Sequence, residues 1–416
     1  MLACAVGLGL GLSPIAPYTS GIMASALESE FGWSRADILG TLMLAPIALV
    51  LFGRHIGRLV DKVGPRKVAL VSTAGLGLSQ LLIAAIGSSI PTFYAGWAVL
   101  AIISIGTLPM TYAKVVNGWF VHSRGLALGL ALAATGITGA AIPFLLNAAL
   151  AAFGWRGGYV LLALLPLVIA LPVLAAWLRL PERQDEQGTQ AARVAGMSVS
   201  AALRGYRFWI LAIGSMALAF GVSGLLPNLF PLLLDRGVDT TTAAGALAAL
   251  AVSVTAGRIL SGFMLDRIWA PSVCAILVMP AVAALLLLAN PQLSPAVMVG
   301  AVVTLGLVAG AEFDLVAFMT ARYFGQKHFS EIYGIQYAAF GLGAGFAPAC
   351  YGYIHDRTGS YVPDIYLSVA LLVFAVIITF ALGRYPAAYT HHHEAGEEIP
   401  GALDEPETAP SQKQMA

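Results

Sequence analysis

Charged side chains are scarce in this sequence. Only 10% of its 416 residues are Asp, Glu, Lys or Arg, and 59% are hydrophobic, whereas soluble domains carry about 25% charged residues. This shortage excludes an ordinary soluble domain, and a mean hydropathy of +0.83 indicates a membrane protein. The short alternating segments typical of membrane barrels are also missing, so the membrane-spanning part is expected to be all-α.

The chain also lacks the motifs of common enzyme classes. Its three cysteines, Cys4, Cys274 and Cys350, fall in apolar stretches, which favours buried thiols over a disulfide framework. H-E-x-x-H, Gly-x-Ser-x-Gly and the nucleotide-binding G-x-x-x-x-G-K-[ST] do not occur. We therefore expect neither an enzyme nor a nucleotide-driven pump, and no cofactor, metal or nucleic-acid partner. The histidine run at 391–393 is interpreted as a solvated stretch.

What the sequence does contain is long apolar stretches. A helix needs about 20 predominantly apolar residues to cross the hydrocarbon core of a bilayer. Twelve stretches meet this need, with approximate limits 2–26, 38–58, 68–88, 91–115, 126–150, 158–178, 208–232, 241–264, 271–290, 294–320, 332–354 and 364–384. The sequence thus predicts an all-α polytopic membrane protein, whose spans we number 1 to 12.

Basic residues are distributed unevenly between the two sides of these spans. If the amino terminus is cytoplasmic, fifteen of the 22 Lys and Arg residues fall in cytoplasmic segments, four in external loops and three inside spans. The positive-inside rule then predicts a multi-pass protein of the plasma (inner) membrane with both termini cytoplasmic. We expect a monomer. Because Met1 lies almost inside span 1, a start codon further upstream stays open.

A polar break and an internal repeat divide the chain into two halves. We predict a six-helix bundle over 1–178, a cytoplasmic linker over 179–207, a second six-helix bundle over 208–384 and a disordered acidic cytoplasmic tail over 385–416. A constant offset of 205 residues relates Gly57 and Asp61 to Gly262 and Asp266. Two pseudo-symmetric halves with a substrate site between them near the midplane are a recurrent transporter architecture.

The loop after span 2 carries a recognisable pattern. It reads "GRLVDKVGPRK", in which Gly57 allows close helix packing and Asp61 can pair with a basic group or a neighbouring helix terminus. The pattern resembles the signature loop of the major facilitator superfamily, and "GFMLDR" is a degenerate copy in the second half. The resemblance implies a conformational switch formed by Gly57, Asp61, Lys62, Arg66, Gly262, Asp266 and Arg267.

Four other loops resemble those of one group within this superfamily. The stretches "FGWSRAD", "NGWFVHSRGLALG", "FGWRGGY" and "HDRTGSY" look like the corresponding loops of bacterial relatives of monocarboxylate transporters and oxalate/formate exchangers. The similarity covers roughly residues 1–384. It implies a secondary active transporter that moves a small organic anion by alternating access, with proton symport and anion exchange both open.

Charged residues inside the spans are the main site candidates. Arg258 lies in span 8, and Glu312 and Asp314 lie in span 10. A charge at membrane depth costs about 2.5–3.5 kcal/mol on insertion scales, so it is expected to face a cavity or a partner. Arg258 and Asp314 share a depth roughly 12 Å inside the cytoplasmic boundary, so a pair between them is geometrically available. A purely structural salt bridge between spans 8 and 10 is the alternative.

The two acids have different surroundings. They lie about 200° apart around a helix, so one should face the pathway and the other a neighbouring helix. An arginine favours the ionised form of a nearby carboxylate. The acid farther from Arg258 is therefore the better proton-coupling candidate, and the sequence leaves open whether that acid is Glu312 or Asp314.

Arg258 is the candidate for the substrate contact. In the organic anion branch that the chain resembles, a basic residue on span 8 is the expected partner of the substrate carboxylate, and "AGRILSG" places Arg258 there. A guanidinium matches a carboxylate with a fork of donors and stays charged when buried. The sequence departs from this branch at Val254, where Asp is frequent, and it has no Lys in spans 1 and 11. With so few fixed positive charges, a monocarboxylate is favoured over a dianion.

Several polar residues in the spans have more than one possible role. Arg54 on span 2 is a candidate second anion contact, but it could also pair with an acid such as Asp61 or reach the headgroups. Tyr18, Tyr112 and Asn228 could each bind the substrate or a neighbouring helix. The alternative function is a facilitator-type transporter or exporter of an uncharged or cationic small molecule, with Glu312 or Asp314 as the substrate or proton site.

Overall fold

The computed structural model of the chain describes residues 1–120, 123–180, 196–290 and 293–386. Most of the predicted linker, 181–195, lies outside these residues. The predicted tail lies outside them from 387 onward, including the histidine run at 391–393.

The described residues form twelve membrane spans. Ten helical runs are long and apolar enough to cross a membrane, and one of them, Arg124–Trp177, contains two spans. The helix Phe329–Thr358 supplies the remaining span. In order, the spans are Leu2–Phe31, Asp37–Val63, Pro65–Ala84, Ile90–Trp119, 124–153, 155–177, Tyr206–Ser223, Thr240–Leu265, Ala270–Ala289, Pro295–Phe324, Phe329–Thr358 and Val362–Phe380.

Spans 5 and 6 are divided at a glycine. The run Arg124–Trp177 has 54 residues, which at 1.5 Å per residue is about 80 Å, far more than the roughly 30 Å hydrocarbon core. Gly154 interrupts the helix with φ 66° and ψ −169°. Glycine adopts positive φ without a steric penalty, so the chain reverses there and crosses the membrane twice.

Spans 1 and 4 are both broken near their middle, and the two breaks contact each other. Span 1 is interrupted between Gly9 and Leu12, and span 4 changes to a 3-10 turn before Pro109. The freed N–H of Leu12 donates to the Thr107 hydroxyl over 3.0 Å. Backbone groups at membrane depth need such partners, so each broken helix stabilises the other.

Buried apolar side chains form two clusters. One draws mainly on residues 3–178, and the other on residues 199–382. The first cluster also takes in side chains of spans 10 and 11, including Phe329, Tyr333 and Tyr337. The two halves therefore have separate cores that meet along spans 10 and 11.

The segment before span 7 is anchored to the second half. Gly196 forms an antiparallel bridge with Gly325, and the Met197 N–H donates to the Phe324 carbonyl over 2.9 Å. The short helix Val199–Arg204 follows, capped by the Ser198 hydroxyl. This end of the linker therefore lies against the loop between spans 10 and 11.

Candidate functional site

Spans 2 and 11 pack backbone against backbone between the two halves. A Cβ at Gly57 would collide with the Ser330 carbonyl, and a Cβ at Gly334 would lie 2.7 Å from the Gly53 carbonyl oxygen. Only glycine allows this approach, because any larger side chain would separate the helices. Gly57, predicted as a switch residue, thus lies at an interface between the halves.

Spans 5 and 8 form the contact that the internal repeat relates to the one between spans 2 and 11. A Cβ at Gly262 would lie 2.5 Å from the Gly125 carbonyl oxygen, and a Cβ at Gly129 would collide with the Arg258 carbonyl. Adding 205 to Gly57 and Gly125 gives Gly262 and Ser330. The two interfaces are therefore equivalent positions of one repeat.

Asp61 and Asp266 each cap a helix of the opposite half. The Asp61 carboxylate accepts from the backbone N–H groups of Ser330 and Glu331 over 3.2 and 2.9 Å, at the start of span 11. Asp266 accepts from those of Gly125 and Leu126 over 2.6 and 2.9 Å, at the start of span 5. An acid at a helix N-terminus satisfies free donors and interacts favourably with the helix dipole. We call this end of the molecule, which holds Asp61 and Asp266, the aspartate end.

The basic switch candidates surround these caps without joining them. Arg66 donates to the Ala175 carbonyl over 2.5 Å, within the first half. Arg267 donates to the Phe263 carbonyl over 3.1 Å, and its guanidinium lies 3.6 Å from the Phe263 ring centroid. Lys62 lines a cavity beside Asp61. The cation that does bind Asp61 is Lys114 of span 4, whose Nζ lies 2.6 Å from Oδ1.

Arg54 pairs across the halves. Its Nε lies 3.1 Å from Glu331 Oε1, although the sequence had suggested Asp61, the headgroups or an anionic substrate. The Glu331 side chain is only 6% exposed and that of Arg54 52% exposed. Arg54 is therefore part of the contact between spans 2 and 11 in this conformation.

Arg258 is buried where the halves meet. The residue is 6% exposed, and its backbone carbonyl faces Gly129 of span 5. Its Nε and Nη1 are buried and have no hydrogen-bond partner among the described residues. In the described part of the chain, Arg258 forms no ion pair with Glu312 or Asp314. Two donors of a permanently charged group are thus unused in the interior.

Asp314 is held toward span 8 through a hydroxyl. Its Oδ2 accepts from the Ser261 hydroxyl over 3.0 Å, and the same hydroxyl also lies 3.0 Å from the Arg258 carbonyl. Ser261 therefore makes the connection between spans 8 and 10 that a direct Arg258 salt bridge would have made. Asp314 is fully buried, and its Oδ1 has no partner among the described residues.

Glu312 faces in another direction. It is 4% exposed, its Oε2 has no partner among the described residues, and it interacts electrostatically with Tyr337 of span 11. Both acids also interact electrostatically with Arg258. Of the two acids, Asp314 is the one that binds the neighbouring span 8, through Ser261.

Aromatic rings enclose the charged group. The Arg258 guanidinium lies 5.5 Å from the Phe313 ring centroid, which in turn lies 5.7 Å from Tyr337 and 4.5 Å from Phe340. Tyr337 interacts with Ser13 of span 1, just after the break in that span. The centre of the molecule thus combines one arginine, two acids and three aromatic side chains of the second half, with Ser13 of the first half beside them.

The other predicted substrate contacts lie apart from this group. Tyr112 is fully buried in the first half, where a Cβ at Gly7 would lie 2.5 Å from its ring. Tyr18 is 44% exposed and packs over Gly139 of span 5. Span 7, predicted to reach residue 232, ends at Ser223, and Asn228 lies in the 3-10 turn Leu226–Asn228 that follows it, where it donates to the Gly224 carbonyl over 3.1 Å. The structure brings none of the three into described contact with Arg258.

Sequence reasoning missed several residues that the structure brings to the site. Ser261 lies one turn after Arg258, and Phe313 stands between the two acids. Phe329, Tyr333 and Tyr337 recur every four residues, which marks one aromatic face of span 11. This spacing is a signal that could have been used. The ion pair of Glu331 with Arg54 could not be predicted from the internal repeat, because the repeat equivalent of Glu331 is the uncharged Leu126.

Two six-helix halves with a buried charged site between them define the protein as a membrane transporter. The chain belongs to the Major Facilitator Superfamily, whose family model matches residues 3–348. Because the family consists of transporters, the prediction that the chain is not an enzyme is confirmed.

Named relatives are transporters too. The chain is 27% identical to human Monocarboxylate transporter 11 over 365 residues, which cover 85% of this chain and 75% of the relative. It is 25% identical to the MFS-type transporter pytF of Aspergillus terreus over 254 residues, covering 60% of this chain and 80% of the relative. The solved transporter FucP in the outward conformation superposes with a TM-score of 0.72 at 15% identity, covering 92% of this chain and 98% of FucP. This last likeness shows the fold.

Proposed function

We propose that the protein transports a small organic anion, with a monocarboxylate as the favoured substrate, by alternating access of its two halves. The observation that carries the proposal is the buried Arg258, whose Nε and Nη1 have no partner in the part of the chain that the structure describes. A carboxylate offers two oxygens to such a fork of donors. The similarity to Monocarboxylate transporter 11 supports the same substrate class. Proton symport and anion exchange are both compatible with the site.

In this proposal the aspartate end is the gate that opens and closes. Its two interfaces hold the halves together through glycine contacts and the caps made by Asp61 and Asp266. The excess of Lys and Arg in the segments at this end supports placing it on the cytoplasmic side of a plasma (inner) membrane. A closed cytoplasmic end corresponds to an outward conformation, the state named for the solved FucP structure.

Replacing Arg258 tests the proposal. We expect Arg258→Gln to lower uptake of labelled monocarboxylates into proteoliposomes by about 100-fold, or about 2.7 kcal/mol, because a charge-assisted contact is lost. Arg258→Lys should retain part of the uptake, since the ammonium keeps the charge but not the fork. Uptake would be measured for a panel of carboxylates with and without a pH gradient.

Arg357→Gln provides the matched control. Arg357 is exposed near the end of span 11 and stacks on Tyr353, so its loss should leave uptake unchanged. All variants would be compared for their thermal unfolding midpoint. Normal anion uptake by a folded Arg258→Gln variant would contradict the proposal and favour an uncharged or cationic substrate that meets Glu312 or Asp314.

A further inference from the structure

A polar cavity lies at the aspartate end, away from Arg258. It has a volume of about 340 Å³, within the range of small-ligand pockets. Three elements line it: span 2 of the first half, the start of span 11 in the second half, and the linker segment that contains Ser198 and Ser200.

The side chains of this cavity carry an excess of positive charge. Its cations are Arg54, Arg58, Lys62 and Lys327, and its acids are Asp61 and Glu331. Both acids already have partners, because Lys114 binds Asp61 and Arg54 binds Glu331. Among the described residues, Arg58, Lys62 and Lys327 form no hydrogen bond or ion pair through their side chains.

These three cations come from both halves. Arg58 and Lys62 lie one turn apart on span 2, and Lys327 lies in the loop before span 11, beside His328. The neighbouring side chains Leu59 and Val63 are 44% and 46% exposed, as expected of groups that face lipid. The cavity therefore lies at the level where apolar membrane surface gives way to charge, and it is reachable from the aqueous phase and the headgroup layer.

We propose that this cavity binds a phosphate-bearing anion, which bridges Arg58 and Lys62 of the first half to Lys327 of the second and holds the aspartate end closed. Phosphate oxygens accept several charge-assisted hydrogen bonds at once, and clusters of Lys and Arg beside a membrane recognise anionic headgroups. Arg58 and Lys62 are neighbours on one span, and Lys327 comes close to them when the halves meet at this end. Binding therefore stabilises this conformation over one in which the aspartate end is open.

The test measures binding and does not depend on the transported substrate. Purified full-length protein in detergent is titrated with inorganic phosphate, at constant ionic strength set with chloride, while its thermal unfolding midpoint is recorded. A parallel series uses nanodiscs of phosphatidylcholine with and without phosphatidylglycerol. We expect phosphate to raise the midpoint of the natural protein, and the double variant Arg58→Gln/Lys327→Gln to weaken apparent phosphate affinity by about tenfold or more.

Two further variants make the result specific. Lys67→Gln removes a cation near the same end but outside the lining of the cavity, so it should respond to phosphate like the natural protein. The charge-conserving Arg58→Lys/Lys327→Arg variant should retain binding, which keeps the test valid if the glutamine variant is unstable. A response to phosphatidylglycerol alone would assign the phosphate to a lipid headgroup, and a response to inorganic phosphate assigns it to a soluble anion.

Other outcomes would overturn the inference. They are an equal stabilisation by chloride, an equal response in the glutamine double variant, or no response of the natural protein to either phosphate source. Each of these can occur while Arg258-dependent uptake is intact, so the transport proposal is judged separately.

Discussion

The centre of the molecule depends on a few unpaired polar atoms. Within residues 1–120, 123–180, 196–290 and 293–386, two buried nitrogens of Arg258 and one buried oxygen each of Glu312 and Asp314 have no partner, while Ser261 binds the other oxygen of Asp314. Leaving charged atoms unpaired in the interior costs several kcal/mol, so they are retained where they meet a ligand or a proton. In the proposed mechanism, the chemistry of transport is therefore carried by single side chains of spans 8 and 10.

The unequal surroundings of the two acids give a prediction at this scale. If the protein is a symporter, we expect Glu312→Gln to abolish uptake driven by a pH gradient while leaving anion counterflow, because no hydroxyl among the described residues anchors Glu312, whereas Ser261 anchors Asp314. Asp314→Asn should reduce both activities several-fold, since it weakens the bond with Ser261 that joins spans 8 and 10. Both activities would be measured in the same proteoliposomes. Normal gradient-driven uptake by Glu312→Gln would exclude it as the proton carrier.

At the scale of the element, glycines decide how closely the spans approach. Gly57, Gly125 and Gly262 each face a backbone carbonyl of the opposite half. Because lipid tails are as apolar as the helix surfaces, the hydrophobic effect does not drive helices together inside a membrane. Close backbone packing is therefore a main source of helix association there. Spans 2, 5, 8 and 11 therefore act as the contact surfaces between the halves at the aspartate end.

Span 8 offers a matched pair of substitutions to test this packing. Gly262→Val should lower the thermal unfolding midpoint and shift the halves apart, because overpacking costs about 1–3 kcal/mol. Gly245→Val places the same side chain in the same helix, where no described atom outside the adjoining helix backbone would lie within 4 Å of the new Cβ, so it should be tolerated. Comparable losses in both variants would show that helix propensity, and not contact between the halves, sets the outcome.

The sequence predicted these elements well and their partners only in part. Apolar length located the twelve spans, and the fixed offset of 205 residues related Asp61 to Asp266. A capping or ion-pairing role for Asp61 followed from its place at a helix end. The identity of its partners did not, because Lys114 and Ser330 lie 53 and 269 residues away in sequence. Such pairs are set by tertiary packing, as is the replacement of an Arg258 salt bridge by Ser261.

At the scale of the whole molecule, two crossed caps join the halves. Asp61 caps span 11 and Asp266 caps span 5, so each half holds the first turn of a helix in the other. A rocking motion must break both caps together with the glycine contacts. The closed aspartate end is therefore a cooperative unit in which no single bond decides the state.

Removing either cap should shift this equilibrium. We expect Asp61→Asn and Asp266→Asn each to increase the population with an open aspartate end about fivefold, or about 1 kcal/mol, because the favourable interaction with a helix N-terminus is weakened. The measurement is a pulsed EPR distance distribution between spin labels at Val63 of the first half and Tyr206 of the second, both exposed.

Asp239→Asn serves as the control for this experiment. Asp239 caps span 8 within its own half, accepting from Thr242 N–H over 3.0 Å, so its loss should leave the distance distribution unchanged. The crossed caps would be disproved as a source of closure if Asp61→Asn and Asp266→Asn gave the same distribution as the natural protein.

The reciprocal placement of the two aspartates has a consequence for how the fold assembles. Asp61 of the first half binds Ser330 of the second, and the repeat equivalents of these two residues, Asp266 and Gly125, bind each other in the same way. The contact is therefore isologous, as in a two-fold homodimer. A single six-span ancestor could have formed this surface with a second copy of itself. By the same geometry, the two halves expressed as separate polypeptides already carry complementary faces and should recognise each other without a covalent tether.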